Sequence, residues 1–488
     1  MSMGNLTTGT EGDGQGWPES QRKLQSASFF QLFIAINVIA LYGYLFWDSI
    51  STQVPALVGG SADVLFLKDD RFMDWVNTLR SAGLSLPYGL QGQVAMPVYP
   101  PFTYALLRPL ATLLVSSASD VELAKLAWIG VTAIVLLAVC RNVERLRFAL
   151  HPQPSGKAPL QLLIIVLVSY PFLFAFDRGN LELVTFALIS WFAVRQLSPG
   201  SDHSSLGGSQ SLVRSSLILA VAAAIKPYTF LFVCLSAVAP ASGSRRQRVE
   251  RLLRLSLCSF AFVLLLSLIS LLWLYQGDLA QGISDYRHWQ QLFMVNYIVG
   301  GVGDQFFSSP YVAIKMDLLK LGAPASAMLG FIRIYPLVSL AVSVAVLFKT
   351  FRLRQADPVV MLTAICFCLL VFPYNANEYK AVYLLLPFLV FYQSTDHSYN
   401  LHPAAEDFSG AKAPSNTGAL SPWRWSPTAV SITLCFGLLL NRYGLTGDRL
   451  LASLIASVLL MVFPVLFLLS REEQSLPGEI RNGRISGS

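Results

Sequence analysis

The chain has 488 residues, of which 54% are hydrophobic and only 13% are charged, and its formal net charge at pH 7 is +7. Soluble globular proteins carry about 25% charged residues, so this composition excludes an ordinary soluble fold. Apolar runs of about 20 residues, the length that spans a bilayer as a helix, recur between Ser28 and Leu469. The sequence therefore predicts an all-α polytopic membrane protein with about 10 to 13 membrane segments, some of them short or re-entrant.

The distribution of charge and cysteine excludes further classes. Basic residues lie in short loops beside apolar segments, as in membrane proteins with positive cytoplasmic loops, so we expect no nucleic-acid partner. The six cysteines lie within or at the ends of apolar runs, and none forms a CxxC pair. This pattern indicates neither a zinc site nor an external disulfide framework.

The basic clusters set the expected orientation in a cell (inner or plasma) membrane. We place them in the cytoplasm, which makes both termini cytoplasmic. The clusters lie at 22–23, 141–147, 245–254, 349–354 and 471–484. The domain organisation that follows is a disordered, Gly- and Ser-rich N-terminus at 1–27, an integral membrane domain at 28–470 and a cytoplasmic tail at 471–488.

The first apolar run, Ser28 to Trp47, is too long for a signal peptide and lacks a cleavage site, so it predicts a retained helix. It leads to the first extracytoplasmic loop at 48–100. The segment 102–116 is expected to lie in the interface or to re-enter the membrane. Helices at about 159–176 and 180–198 are expected to meet outside at the sequence DRGN.

The apolar segment 214–240 has inside loops at both ends and is interrupted by Lys226-Pro227. We therefore predict a hairpin of two short helices, whose non-helical tip is tolerated because protein or water surrounds it. A helix at 255–275 then leads to a second large extracytoplasmic loop at 276–325. Later helices are predicted at 327–348, 358–373, 380–394, 427–441 and 449–470.

This orientation places five polar clusters on the extracytoplasmic side, although their chemistry was not used to assign it. Ionisable side chains at membrane depth are costly, so a shared outward-facing cavity is the economical interpretation. The clusters are KDDRFMDWVN (68–77), DRGNLE (177–182), IKPY (225–228), SDYRHWQQ (284–291) and YNANEYK (374–380).

The first two clusters each allow a structural and a functional interpretation. Asp70 and Asp74 share a face if their stretch is helical. A carboxylate there could take a proton from a sugar hydroxyl if burial raises its pKa, and the alternative is a solvated interfacial helix. Arg178 either closes an external turn through Asp177 or Glu182, or binds an anion, because guanidinium matches phosphate geometry.

The other three clusters are open in the same way. Lys226 either reaches water at a loop tip or acts at the site, which is the default interpretation of an intramembrane ionisable residue. Arg287 and His288 could bind a sugar or a phosphate, or could be plain surface residues. The last cluster suits either polyol recognition or an ordinary external turn, and it holds Tyr374, Asn377, Glu378 and Lys380.

Five short motifs, in this order, resemble glycosyltransferase family 87, the polyprenol-phosphate-sugar-dependent membrane glycosyltransferases that include mannosyltransferases. The resemblance spans roughly residues 30–395. The motifs are FMDWVN followed by Pro87-Tyr88, VYPPFTYALLRPLA, DRGNLELVTFALI, AAAIKPYTFLF and NEYKAVYLLLP. The resemblance implies a GT-C-like helical bundle with an extracytoplasmic active site. It also implies inverting transfer of a hexose, with mannose as the first candidate. The expected partners are a polyprenyl-phosphate-sugar donor, a lipid- or glycan-bound acceptor hydroxyl and membrane lipids.

The resemblance also implies residue roles. An aspartate of the first loop would be the general base. The motif FMDWVN favours Asp74, whereas the spacing back from Gly83 favours Asp69 or Asp70. We rank Asp74 first and Asp70 second. Cations stabilise a departing phosphate. A lipid phosphate leaves as a stabilised anion, so we expect no cofactor and no required metal, although Asp69-Asp70 could bind one weakly. The donor phosphate and sugar would contact Arg178, Asn180, Lys226, Arg287, His288, Tyr374, Asn377, Glu378 and Lys380.

Two other functions fit the same clusters. A lipid-linked glycan polymerase or ligase would share the chemistry with a larger donor. A secondary transporter or flippase would also place polar groups inside the membrane, but its expected signature is paired halves with symmetric broken helices. The clusters in this chain are asymmetric and open to one side.

Overall fold

The fold is known from a computed structural model. The structure describes residues 72–89, 98–114, 120–150, 163–164, 166–167, 169–198, 209–238, 245–299, 310–352, 358–371 and 378–389. Within these ranges every regular element is a helix, and there is no strand. The expectation of an all-α membrane protein is confirmed.

The first half of the described chain is a series of α-helices of unequal length. They are α1 Met73–Gly83, α2 Pro101–Leu114, α3 Asp120–Leu150, α4 Tyr170–Arg178, α5 Glu182–Leu197 and α6 Ser209–Ile225. A 3-10 helix, Pro227–Ala237, follows. The second half consists of α7 Arg245–Leu274, α8 Leu279–Phe293, a π-helical turn Met294–Val299, α9 Pro310–Lys320, α10 Ala325–Arg352, α11 Pro358–Val371 and a 3-10 helix Glu378–Leu384.

Three of the described helices are long and apolar enough to cross a bilayer. The spans are Val121–Leu146 in α3, Arg246–Leu274 in α7 and Ala325–Phe351 in α10, with mean hydropathies of 2.3, 2.5 and 2.1. Less than a third of each span is buried by protein. Such a large exposed apolar surface suits contact with lipid rather than water.

The predicted break at Lys226-Pro227 is present. Helix α6 ends at Ile225, and Lys226 takes an extended conformation with φ −136° and ψ 100° before the 3-10 helix begins at Pro227. Proline has no N–H to continue the ladder of α6, and its fixed φ suits the first turn of a new helix. The two halves then pack against each other, as the hairpin prediction requires.

The second extracytoplasmic loop was predicted at 276–325, and its described residues, 276–299 and 310–325, are largely helical. It contains α8, the π-helical turn and α9. Helix α8 begins after Asp278, whose carboxylate accepts the Gln281 N–H at 2.9 Å, a standard N-terminal cap. The side chains of Tyr286 and Trp289, three positions apart, both pack inward, as one face of an amphipathic helix does.

Two tryptophans connect α1, α3 and α4. The indole of Trp75 donates to the carbonyl oxygen of Ala124 in α3 at 2.8 Å. The indole of Trp128 in α3 donates to the carbonyl oxygen of Phe176 in α4 at 2.9 Å, and the two indole centroids lie 5.3 Å apart. Both rings are buried, so α1, α3 and α4 form one packed unit.

The start of α1 and the end of α4 meet through two left-handed residues. Phe72 has φ 61° and its N–H donates to the carbonyl oxygen of Asp177 at 2.7 Å. Gly179, with φ 70°, ends α4. A Cβ at Gly179 would lie 2.7 Å from the Cβ of Trp75 and 2.9 Å from the carbonyl oxygen of Phe72. Only glycine therefore fits this contact without strain.

We predict that Gly179→Ala lowers the stability of the protein by about 2 to 4 kcal/mol, because a left-handed alanine and its clash with Trp75 both add cost. Thermal unfolding of the purified protein in detergent measures this. Gly130→Ala is the matched control, because a Cβ at Gly130 in α3 meets nothing within 4 Å and alanine favours helix. Equal midpoints for the two variants would contradict the packing described for α1 and α4.

Candidate active site

Asp74 lies in the first turn of α1, next to the contact with α4. An acidic side chain at this position is stabilised by the free N–H groups of the helix N-terminus. The contact between Phe72 and Asp177 brings this turn beside the residues that follow α4. The local structure of α1 thus directs the Asp74 carboxylate toward the DRGN turn.

Two side chains of that turn hold the Asp74 carboxylate. Arg178 donates to Oδ1 at 3.1 Å, and the amide nitrogen of Asn180 donates to Oδ2 at 3.0 Å. The side chains of Asp74 and Arg178 retain 26% and 22% of their exposure, so the pair remains accessible from outside the protein. Arg178 was expected to pair with a neighbour in sequence or an anion, and the partner found here is Asp74.

Asn180 also connects this pair to the residues behind it. Its amide oxygen accepts the Glu182 N–H at 3.1 Å, at the start of α5, and lies 3.5 Å from the hydroxyl of Tyr99. The side chain is buried. Because both ends of the amide have partners, Asn180 transmits the position of α5 to Asp74.

Behind Asn180, a buried carboxylate faces Lys226. The Oε1 atom of Glu182 lies 3.7 Å from Nζ of Lys226, and the two side chains are 0% and 12% exposed. The hydroxyl of Tyr383 donates to the other oxygen of Glu182 at 2.8 Å. The Lys226 ammonium lies 4.2 Å from the ring centroid of Tyr99, within range of a cation–π interaction.

Lys380 brings a second ammonium to the same region. It is 3% exposed, and its Nζ lies 4.2 Å from the ring centroid of Tyr228. It interacts electrostatically with both Glu182 and Lys226. The hydroxyl of Tyr228 is buried and makes no hydrogen bond within the described part of the chain. Two cations and an unsatisfied hydroxyl make this region suited to an anionic ligand.

Tyr99 is held in place by two other tyrosines, Tyr88 and Tyr104. Its N–H donates to the hydroxyl of Tyr104 at 3.2 Å, and its carbonyl oxygen accepts the hydroxyl of Tyr88 at 2.7 Å. Burial raises the pKa of Tyr88 well above its usual range, so this phenol stays protonated and donates. The Tyr88 ring contacts those of Tyr286 and Trp289 in α8 at 5.1 and 5.4 Å.

The structure thus brings together five of the residues proposed from the sequence, drawn from four separate segments of the chain: Asp74, Arg178, Asn180, Lys226 and Lys380. Arg287 and His288 lie on the exposed side of α8. Asp70, Tyr374 and Asn377 are outside the described residues, as is the side chain of Glu378. Their assignments remain predictions.

Three residues at the centre of the site were not proposed from the sequence: Tyr99, Glu182 and Tyr383. Glu182 carried a usable signal, because it is an ionisable residue in an apolar run two positions after Asn180. Tyr383 lies three positions after Lys380, the spacing that brings two side chains to one side of a helical turn. Tyr99 entered the sequence analysis only as part of the motif VYPPFTYALLRPLA.

Comparison with models of protein families gives one result. The model of glycosyltransferase family 87 matches residues 98–373. The matched range includes Arg178, Asn180, Glu182 and Lys226, while Asp74 precedes it and Lys380 follows it. Neither the curated proteins nor the solved structures gave a match.

We predict that Asn180→Ala destabilises the protein by about 1 to 3 kcal/mol, because it removes a donor to Asp74 and leaves the buried Glu182 N–H without its acceptor. Thermal unfolding in detergent measures the loss. Asn296→Ala, at an exposed position of the π-helical turn, serves as the control and should change stability by less than about 0.5 kcal/mol. Equal effects of both substitutions would refute the linking role of Asn180.

Proposed function

The protein belongs to glycosyltransferase family 87, whose model covers more than half of the chain, and it is therefore a membrane glycosyltransferase; from this we propose a specific reaction. The enzyme transfers a hexose, mannose being the first candidate, from a polyprenyl-phosphate donor to a lipid- or glycan-bound hydroxyl. The reaction inverts the anomeric carbon and takes place on the extracytoplasmic side of the inner or plasma membrane.

The observation that carries the proposal is the arrangement of one partly exposed carboxylate, Asp74, near cations that are largely or fully buried, Lys226 and Lys380. Asp74 is the general base and takes the proton of the acceptor hydroxyl as its oxygen attacks the anomeric carbon. The bond between that carbon and the phosphate oxygen breaks, and the polyprenyl phosphate leaves with the electron pair. Attack and departure on opposite sides of the carbon account for inversion.

Asp74 retains the capacity to act as a base while it is held by its neighbours. Each carboxylate oxygen accepts one hydrogen bond in the structure, from Arg178 or from Asn180. An ionised carboxylate has about four acceptor positions, so a lone pair remains on each oxygen for an acceptor hydroxyl. The two donors fix the orientation of the carboxylate, which lowers the entropic cost of reaching a reactive geometry.

The cations are suited to the leaving phosphate, on which negative charge grows as the bond breaks. Lys226 and Lys380 both interact with Glu182, and Arg178 pairs with Asp74. Fixed cations directed at developing charge lower the barrier, and they do so more strongly away from water. The Tyr228 hydroxyl is a further donor for a phosphate oxygen. We assign Asn180, Arg287, His288, Tyr374, Asn377 and Glu378 to contacts with the donor sugar and phosphate.

We predict that Asp74→Asn lowers sugar transfer at least about 100-fold, since a positioned base contributes a factor of about 10² to 10⁴, while the protein still inserts and folds. Transfer from a synthetic polyprenyl-phosphate mannose to membrane acceptors measures it. Asp70→Asn is the comparison and should remain active. Full activity of Asp74→Asn with an inactive Asp70→Asn would move the base to Asp70. Full activity of both variants would show that the general base does not lie in this loop. Movement of the labelled sugar across the membrane without a new glycosidic bond would indicate a transporter.

A second prediction concerns the phosphate. Lys226→Met should lower kcat/KM for the donor by about 10² to 10³, the effect of removing one donor to a developing anion, and Lys226→Arg should restore part of it. Lys125→Met is the matched control, because Lys125 pairs with Glu122 on the surface of α3 and should leave the kinetics unchanged. A Lys226→Met enzyme with the kinetics of the wild type would refute the assignment.

A further inference from the structure

Glu182 is a buried charge for which the proposed reaction has no chemical step. Its side chain is fully buried, and its two oxygens differ in their surroundings. Oε2 accepts a hydrogen bond from Tyr383 and lies 3.4 Å from the hydroxyl of Thr185. Oε1 makes no hydrogen bond within the described part of the chain and faces Lys226 at 3.7 Å. The carboxylate therefore acts on Lys226 through its charge.

The same carboxylate also acts on Lys380, so that three ionisable side chains from three segments form one inner group. With Glu182, Lys226 and Lys380 all ionised, the formal charge of this group is +1. Without the carboxylate it would be +2. A buried negative charge next to these two cations weakens their attraction for an anion, and the effect grows with the charge of that anion.

The proposed donor and product differ in this charge. A sugar phosphodiester carries one negative charge, whereas a released phosphate monoester carries about −1.5 to −2 at pH 7. Both place a phosphate at the same cations. A carboxylate in the wall of the site therefore disfavours the product more than the donor.

We propose that Glu182 is a specificity-determining residue that favours the monoanionic phosphodiester donor over the more highly charged phosphate product, and so promotes product release. This inference rests on the proposed function. Glu182 itself lies behind Asn180 and exchanges no proton with the substrates. Its carboxylate reduces the net positive charge that acts on the bound phosphate.

Replacement by an amide separates charge from shape. In Glu182→Gln the amide oxygen can still accept the Tyr383 hydroxyl, and the side chain has almost the same volume. The measurement is the ratio of the donor KM to the inhibition constant of the polyprenyl phosphate product. We expect this ratio to rise on the order of tenfold or more. Removal of one negative charge close to the phosphate strengthens binding of the more highly charged product more than binding of the donor, so the inhibition constant falls further than the donor KM.

A merely structural role predicts a different result. A loosened site weakens donor and product together, so both constants rise and their ratio stays the same. Tyr383→Phe is the matched control, because it removes the hydrogen bond to Glu182 and keeps the charge, and it should leave the ratio unchanged. Glu182→Asp should return the ratio toward that of the wild type.

A second variant tests the same charge in the opposite direction and does not depend on the folding of Glu182→Gln. Lys380→Met lowers the formal charge of the inner group by one, so the ratio should fall. An unchanged ratio in either Glu182→Gln or Lys380→Met overturns the inference while the proposed function stands. Absence of transfer by the wild-type enzyme from the polyprenyl-phosphate donor overturns the proposed function itself.

Discussion

The contact between the first turn of α1 and the end of α4 is the constraint on which the rest of the site depends. The Phe72 N–H and the carbonyl of Asp177 close it, and Gly179 permits the short distance between the two backbones. Without it, the carboxylate of Asp74 would have no fixed relation to Arg178, which is 104 residues away in sequence. Backbone hydrogen bonding and the conformational freedom of one glycine thus produce a defined charge arrangement.

The site passes from a partly exposed pair to a more buried group. The side chains of Asp74 and Arg178 are 26% and 22% exposed, whereas Asn180, Glu182 and Lys380 are buried and the Lys226 side chain is 12% exposed. This order suits a reaction in which a hydroxyl from an acceptor approaches from water while a phosphate departs toward cations. Buried charges are tolerated because each one has an opposite charge, an aromatic face or a hydrogen bond nearby.

Sequence reasoning predicted the elements whose cause is local. The break at Lys226-Pro227 follows from the missing N–H of proline, and the membrane helices follow from the length of apolar runs. The pairing of Arg178 with Asp74 was not predictable, because it depends on the packing of distant helices. The helical content of 276–325 was missed even though Ile283, Tyr286 and Trp289 recur at helical spacing. Glu182 was interpreted only as part of a turn, because nothing local showed that Tyr383 would reach it.

The most direct test of the account is an experimental structure of the enzyme with a non-hydrolysable polyprenyl phosphonate sugar. We predict that the phosphonate contacts Lys226 and Lys380, with the anomeric carbon between it and the carboxylate of Asp74. A phosphonate that contacts neither lysine would contradict the central claim that Lys226 and Lys380 receive the donor phosphate.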